Sequence, residues 1–221
     1  QEEGVYTVSN DYKYLIPKII EEIKLTEVRQ NRFGYRGLPN ALRTRANLKI
    51  QDGCNQFCSY CIVPFRRGPS ISKDFQETVE EFRELIACGA KEVVLTGVMV
   101  GRYASGGKTL PDLLESLLSQ PGDFRLHLAS FSPDLVEDRL IELFCHERMV
   151  KHFNLSLQSG SDRILKRMNR AYTAGDYLKT VEKIRKKIPL FNLTTDLIQG
   201  FPGETEEDFE LTLKLMQQAE F

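Results

Sequence analysis

From Ala46 onward the chain repeats one unit, a short strand-like segment followed by a longer helical one. Five units succeed one another: ANLKIQ (46–51) then a helix over 74–88, KEVVLTG (91–97) then 110–119, FRLHLAS (124–130) then 133–146, HFNLSLQS (152–159) then 161–188 with a break, and FNLTTDLIQG (191–200) then 205–219. Strands joined through helices pair in parallel, so the alternation predicts an α/β fold with crossover helices. The helix starts are marked: Ser132 precedes Pro133, and Thr173 with Asp176 and Thr205 with Asp208 fit capping boxes.

Parallel strands covered on both faces are apolar throughout. These alternate instead, with Asn47, Lys49, Gln51, Arg125, His127, Asn154, Ser156, Gln158, Asn192, Thr194 and Asp196 on one face and apolar residues on the other. One apolar side under helices and one polar side predict an open partial parallel barrel around a ligand. A sheet half exposed to water is the plainer alternative. In βα folds sites lie at the carboxyl ends of strands, which here means Asp52-Gly53-Cys54, Thr96-Gly97, Ser130, 158–161 and 200–204.

The 221 residues, 41% apolar, are enough for one sizeable domain. No run approaches the roughly 18 apolar residues of a membrane span and no basic-then-apolar leader opens the chain, so a cytoplasmic location is expected. Lys plus Arg (30) balance Asp plus Glu (31), so no global positive field marks a nucleic-acid binder. Of five cysteines, three fall within eight residues, which favours a metal or redox centre over disulfides. Cys88 and Cys145 lie in apolar helical patterns and are expected to be buried and inert.

Cys54, Cys58 and Cys61 are spaced C-x3-C-x2-C on the loop leaving the first strand. A four-thiolate site needs a fourth ligand nearby, whereas His127, His146 and His152 lie far along the chain. Three thiolates can hold three irons of a 4Fe-4S cluster and leave one iron open. A zinc site or a simple electron carrier are the alternatives.

With Tyr60 before the last cysteine, this segment resembles the radical S-adenosylmethionine (SAM) superfamily, whose fold is a partial parallel barrel. The strings QDGCNQFCSYCIVPFRRG, LQSGSDRILKRMNRAYT and GFPGETEEDF together resemble the superfamily's methylthiotransferases over about residues 40–221. The resemblance implies that SAM is cleaved at the open iron to methionine and a 5'-deoxyadenosyl radical. It implies cofactor-contact roles around the loop for Phe57 and Tyr60, and for Thr96 and Gly97 at the second strand's end. Gln158 and Ser159 are expected at the ribose hydroxyls, Gly160 at a close backbone approach, Arg170 at a cofactor carboxylate, and Gly200 and Phe201 at the adenine. Asp196 is the strand carboxylate to test, and Glu204, Glu206, Glu207 and Asp208 read as helix-start residues. Arg43, Arg45, Arg66 and Arg67 are expected to form a basic patch for RNA phosphates near the opening.

The wording of the cysteine segment looks closest to enzymes that methylthiolate threonylcarbamoyladenosine beside the tRNA anticodon. The isopentenyladenosine branch, the branch acting on ribosomal protein S12, another radical SAM enzyme and a non-enzymatic iron-sulfur module are the alternatives. Such enzymes pass sulfur through a second 4Fe-4S cluster on three cysteines of an amino-terminal domain, and no cysteine precedes Cys54 here. Residues 1–25 are expected to end that domain, 26–45 to link it, and 46–221 to form a radical SAM core short of its sixth strand, without the family's carboxy-terminal RNA-binding barrel. A start at Gln1 suits a segment of a longer protein. The expected partners are the tRNA anticodon loop and a flavodoxin or ferredoxin as electron donor, with the enzyme a monomer.

Overall fold

The computed structural model describes residues 32–33 and 44–221. The tail expected over 1–25 and most of the linker over 26–45, Arg43 included, lie outside the described residues. In chain order the elements are β1 (Arg45–Lys49), β2 (Gln51–Asp52), α1 (Val63–Arg67), β3 (Ile71–Ser72), α2 (Phe75–Ala87), β4 (Glu92–Thr96), β5 (Ala104–Ser105), β6 (Lys108–Thr109), α3 (Leu110–Leu118), β7 (Arg125–Leu128), β8 (Ser130–Phe131), α4 (Asp138–Leu143), β9 (His152–Leu155), α5 (Asp162–Arg167), α6 (Ala174–Lys187), β10 (Asn192–Thr194) and α7 (Glu206–Ala219).

The strands β1, β4 and β7 pair in parallel in that order, as do β8, β9 and β10. Only Ala129 separates β7 from β8, and its carbonyl accepts from the Asn154 amide at 3.3 Å, so the two triplets form one continuous parallel array. A parallel bridge between Gln158 and Leu197 carries the last pairing up to the loop ends. The result is the α/β partial barrel that the repeated units predict.

The period-two alternation decides which face is buried. Leu48, Leu95, Leu126, Leu128, Phe153, Leu155 and Leu193 point to the helix side and pack in one core with Phe82, Leu113, Leu117, Phe144, Tyr177 and Ile184. Each such side chain removed from water contributes about 1.5–3 kcal/mol. On the other face Asn47, Arg125, Asn192 and Thr194 are exposed, while Lys49, His127 and Asn154 are half-buried. Gln51 is the exception on that face, with no exposed surface at all.

Both capping boxes form, at Thr173 with Asp176 and at Thr205 with Asp208. The helix expected over 133–146 is split instead into a 3-10 turn at Pro133–Leu135 and α4. Ser132 precedes the turn without capping it, because its hydroxyl bonds the Asp134 side chain and accepts from Arg170. The break in 161–188 falls between α5 and α6, where Asn169 takes a left-handed φ of 58°. Cys88 and Cys145 are exposed rather than buried: each lies at or just past the end of its helix, where the apolar stripe has already turned away.

Candidate active site

The site is built on the chain's exit from β2. Gly53 has φ +71°, and a Cβ on it would stand 2.0 Å from the Pro69 carbonyl oxygen, so only glycine lets the loop's two ends meet. The meeting is closed by the Cys54 amide donating to the Gly68 carbonyl at 3.1 Å and by antiparallel pairing of β2 with β3. Gln51 knits the base: its amide nitrogen donates to the Asp52 and Gly53 carbonyls and to Ser70 Oγ, and its oxygen accepts from the Met99 amide at 2.7 Å. Buried Asp52 accepts from Lys49 Nζ at 2.7 Å and Arg67 Nη1 at 3.1 Å. Burial alone would raise its carboxyl pKa, but Lys49, the Gly53 amide and Arg67 outweigh that and hold it below the usual range.

The loop's far side is clasped to the segment after α5. Asn169 Nδ2 donates to the Gln56 and Phe57 carbonyls at 3.2 and 3.0 Å, and Gln56 Nε2 returns a bond to the Asn169 carbonyl. Ser59 adds its amide to the Met168 carbonyl and its hydroxyl to the Arg167 carbonyl. Phe57 and Asn169 both take positive φ, 49° and 58°, so two strained residues face each other across the clasp. The loop is thereby tied both to the strands it leaves and to the segment between α5 and α6 that follows β9.

Cys54 and Cys58 are buried, and Cys61 is half-buried. The Cys54 sulfur accepts from the Gln56 amide and the Cys58 sulfur from Arg170 Nη1, each at 3.3 Å. Donors aimed at sulfur stabilise thiolates, the form that binds iron. Three free cysteines on one loop, two of them with N–H donors on sulfur, are the donor chemistry that an iron-sulfur cluster takes.

Arg170 reaches further, with Nη2 on Ser132 Oγ at 3.2 Å, Nε on the Tyr172 hydroxyl at 3.1 Å, and Nη1 also 3.5 Å from the Tyr60 hydroxyl. Tyr172 donates in turn to the Ser156 or Leu157 carbonyl, and burial pushes its phenol up to about 12. Tyr60 is half-open to solvent beside Arg170 and Phe57 stands 52% exposed, edge-on to Phe65.

The other expected contacts divide. Thr96 ends β4, its carbonyl accepting from the Ile50 amide, and Gly97 is needed because a Cβ there would lie 2.9 Å from Gln51 Cβ. Gln158 takes φ +68° and leaves its side chain half-exposed on the polar face. Ser159 corrects the expectation: it is fully buried, and its hydroxyl bonds Thr212 and the Ser161 amide, because the turn at Gln158 swings it toward α7. Gly160 serves the same packing, since a Cβ would lie 2.5 Å from Thr212 Cα. The Gly200 and Phe201 amides donate to the Glu204 carboxylate. Asp208 is held by Ser161, Arg163 and its capping box, a structural role as expected. Asp196 is exposed and accepts from Asn154 Nδ2 at 3.0 Å.

Among the described residues Arg45, Arg66 and Arg67 do not come together as one basic patch. Arg45 opens β1 at the end opposite the cysteine loop and pairs with Glu92 at 2.8 Å, and Arg67 is committed to Asp52, leaving Arg66 exposed on the loop side. Sequence reading gave Ser132, Asn169, Tyr172 and Gln51 no individual role at the site. Asparagine's tolerance of left-handed backbone was the available signal for Asn169; the others gain their roles only from distant partners.

A parallel α/β array whose first strand feeds a clasped three-thiol loop at the strands' carboxyl ends defines an iron-sulfur enzyme class. The model of the Radical SAM superfamily matches residues 48–216. The chain is 43% identical over 182 residues to the threonylcarbamoyladenosine tRNA methylthiotransferase MtaB of Thermotoga maritima, covering 81% of this chain and 42% of that protein. It is 45% identical over 194 residues to the tRNA-2-methylthio-N(6)-dimethylallyladenosine synthase of Caldicellulosiruptor saccharolyticus, covering 84% and 41%. The structure of the radical SAM methyltransferase TsrM from Kitasatospora setae, with cobalamin and a [4Fe-4S] cluster bound, superposes with a TM-score of 0.66 at 17% identity, over 79% of this chain and 32% of that one. The chain belongs to the radical SAM superfamily, and over about four fifths of its length it is similar to tRNA methylthiotransferases. It spans about two fifths of the length of those relatives. Membership implies a 4Fe-4S cluster and SAM as cofactors. Among the described residues no helix is long and apolar enough to cross a membrane.

Proposed function

We propose that this chain is the radical-generating core of an enzyme that methylthiolates a modified adenosine beside the tRNA anticodon, with threonylcarbamoyladenosine as the preferred base. The observation that carries the reading is the thiol loop itself: two buried cysteines and one half-buried, with sulfur-directed donors, in a sequence 43% identical to an enzyme named for that substrate. The 45% identity to a dimethylallyladenosine synthase supports that base as the second reading.

In this reading Cys54, Cys58 and Cys61 bind three irons and leave the fourth open to SAM. When bound, the cluster supplies the electron that splits SAM into methionine and a 5'-deoxyadenosyl radical. The chain's own residues fix the geometry: Gly53 and Gln51 set the loop's origin, and Asn169 and Ser59 hold its far side. Gln158, Thr96 and Asp196 stand at the polar carboxyl ends of the strands, where they can bind the ribose and amino-acid ends of SAM. The electron comes from a flavodoxin or ferredoxin, and the enzyme works as a cytoplasmic monomer. Sulfur comes from a second cluster that residues 1–53, lacking cysteine, do not provide.

Anaerobic reconstitution tests the reading. Four irons per chain, 5'-deoxyadenosine after dithionite, and loss of both in Cys58→Ala are the expected result; zinc alone, or iron without 5'-deoxyadenosine, sinks it. Mass spectrometry of tRNA carrying either modified adenosine, treated with the full-length enzyme, then decides the base.

A further inference from the structure

The Arg170 side chain touches both the thiol loop, at Cys58 and Tyr60, and the end of β8, at Ser132, and its surroundings are unusual for an arginine. It is half-buried, and its partners are all formally neutral: Ser132 Oγ, the Tyr172 hydroxyl, the Tyr60 hydroxyl and the Cys58 sulfur, with its guanidinium 4.9 Å over the Tyr172 ring. Among the described residues no carboxylate pairs with it, whereas Arg67, Arg163 and Arg185 each have one. A partly desolvated cation without an anion is costly, so the site is electrostatically incomplete until something negative stands beside Nη1. The group on that side is Cys58.

The aim of the fork is fixed from behind. Ser132 sits 7% exposed before the Pro133 turn, and the Tyr172 hydroxyl is anchored on the Ser156 and Leu157 carbonyls. With Nε and Nη2 held there, Nη1 can point only toward the loop. The split of the 133–146 segment and the break after α5 serve the same end, since they deliver Ser132 and Arg170 to one spot.

We infer that Arg170 is a positioning residue that donates to the Cys58 thiolate and thereby raises the reduction potential of the cluster the loop holds. The inference rests on the reading that Cys58 is a cluster ligand. Reduction adds negative charge to a cluster, and an N–H donor with a fixed positive charge beside a ligand sulfur favours the reduced state. In this family the electron must enter before SAM can be cleaved, so a residue that eases entry controls how much cluster is competent at a given donor potential.

The test is an EPR-monitored redox titration of full-length holoenzyme without SAM, comparing wild type with Arg170→Gln and Arg170→Met at equal iron content. The expected result is a midpoint more negative by at least 59 mV, a tenfold smaller reduced-to-oxidised ratio at fixed potential for a one-electron couple. Ser132→Ala, which frees Nη2, is expected to move the midpoint the same way by less, and it decides the matter if neither Arg170 variant loads its cluster. An unchanged midpoint in a loaded Arg170 variant, or in Ser132→Ala should only that one load, overturns the proposal. So does an unchanged midpoint with a tenfold weaker SAM Kd, which assigns Arg170 to a cofactor carboxylate instead. Wild-type enzyme that takes up no iron overturns the cluster reading, a different failure.

Discussion

Gly53 has no side chain, and that decides where the cysteine loop can go. Any Cβ there meets the Pro69 carbonyl at 2.0 Å and is also asked to hold φ +71°, so Gly53→Ala combines a backbone strain of about 1–3 kcal/mol with a clash that only loop movement relieves. The expected outcome is a protein that still folds around its intact core, with a Tm lowered by several degrees, but binds far less iron; undiminished iron content counts against the loop geometry. Gly160→Ala is the contrast. Its Cβ drives into Thr212 on α7, so it is expected to lower stability by about 1–3 kcal/mol with cluster loading retained, measured by denaturant titration. Both glycines stand in sequence motifs, and the sequence shows that they matter without showing for whom. Ser159 was hidden for a similar reason: one left-handed residue, Gln158, reverses which side the next hydroxyl faces, and alternation cannot register that.

The polar sheet face is where the elements reveal most. Its composition was legible from period-two alternation, but its pairings come from register, which sequence does not display. At the amino-terminal ends of the strands, Glu92 is bonded by Arg45 and Arg125 and lies 3.4 Å from His127, whose ring meets His152 at 3.1 Å, and His152 reaches Thr194. Burial lowers the His127 pKa below its ordinary 6.5, with His152 adding to that and Glu92 opposing it. A histidine with a depressed pKa takes up more protons unfolded than folded, so its contribution is complete above pH 6.5 and is lost as pH falls below that value. Melting temperature is therefore expected to drop more steeply from pH 6.5 to 5 in wild type than in His127→Asn; parallel curves exclude the effect. Helix positions were readable from capping residues, whereas the split before α4 was not, because Ser132 is claimed by Arg170, 38 positions away.

For the whole molecule, parallel topology, the thiol loop and the family were legible because each rests on local spacing. The basic patch was not, since Arg45 and Arg66 are close in sequence to one loop yet lie toward opposite ends of the strand array. The chain has three clustered cysteines for one cluster and none before Cys54. Residues 1–221, reconstituted and reduced, are expected to yield 5'-deoxyadenosine slowly and no methylthiolated adenosine from tRNA; a methylthio product from this chain alone would contradict the division of labour.

The clasp also bears on how the protein is made. Cys58 leaves the ribosome 112 residues ahead of Arg170, and Asn169 follows Phe57 by the same interval. At roughly 5–20 residues per second, that is on the order of 6–22 s in which the thiols are synthesised and the residues that hold their loop are not. During that interval a nascent chain offers three mobile thiols to oxidants and to adventitious zinc, so iron delivery is best timed after α5 has emerged.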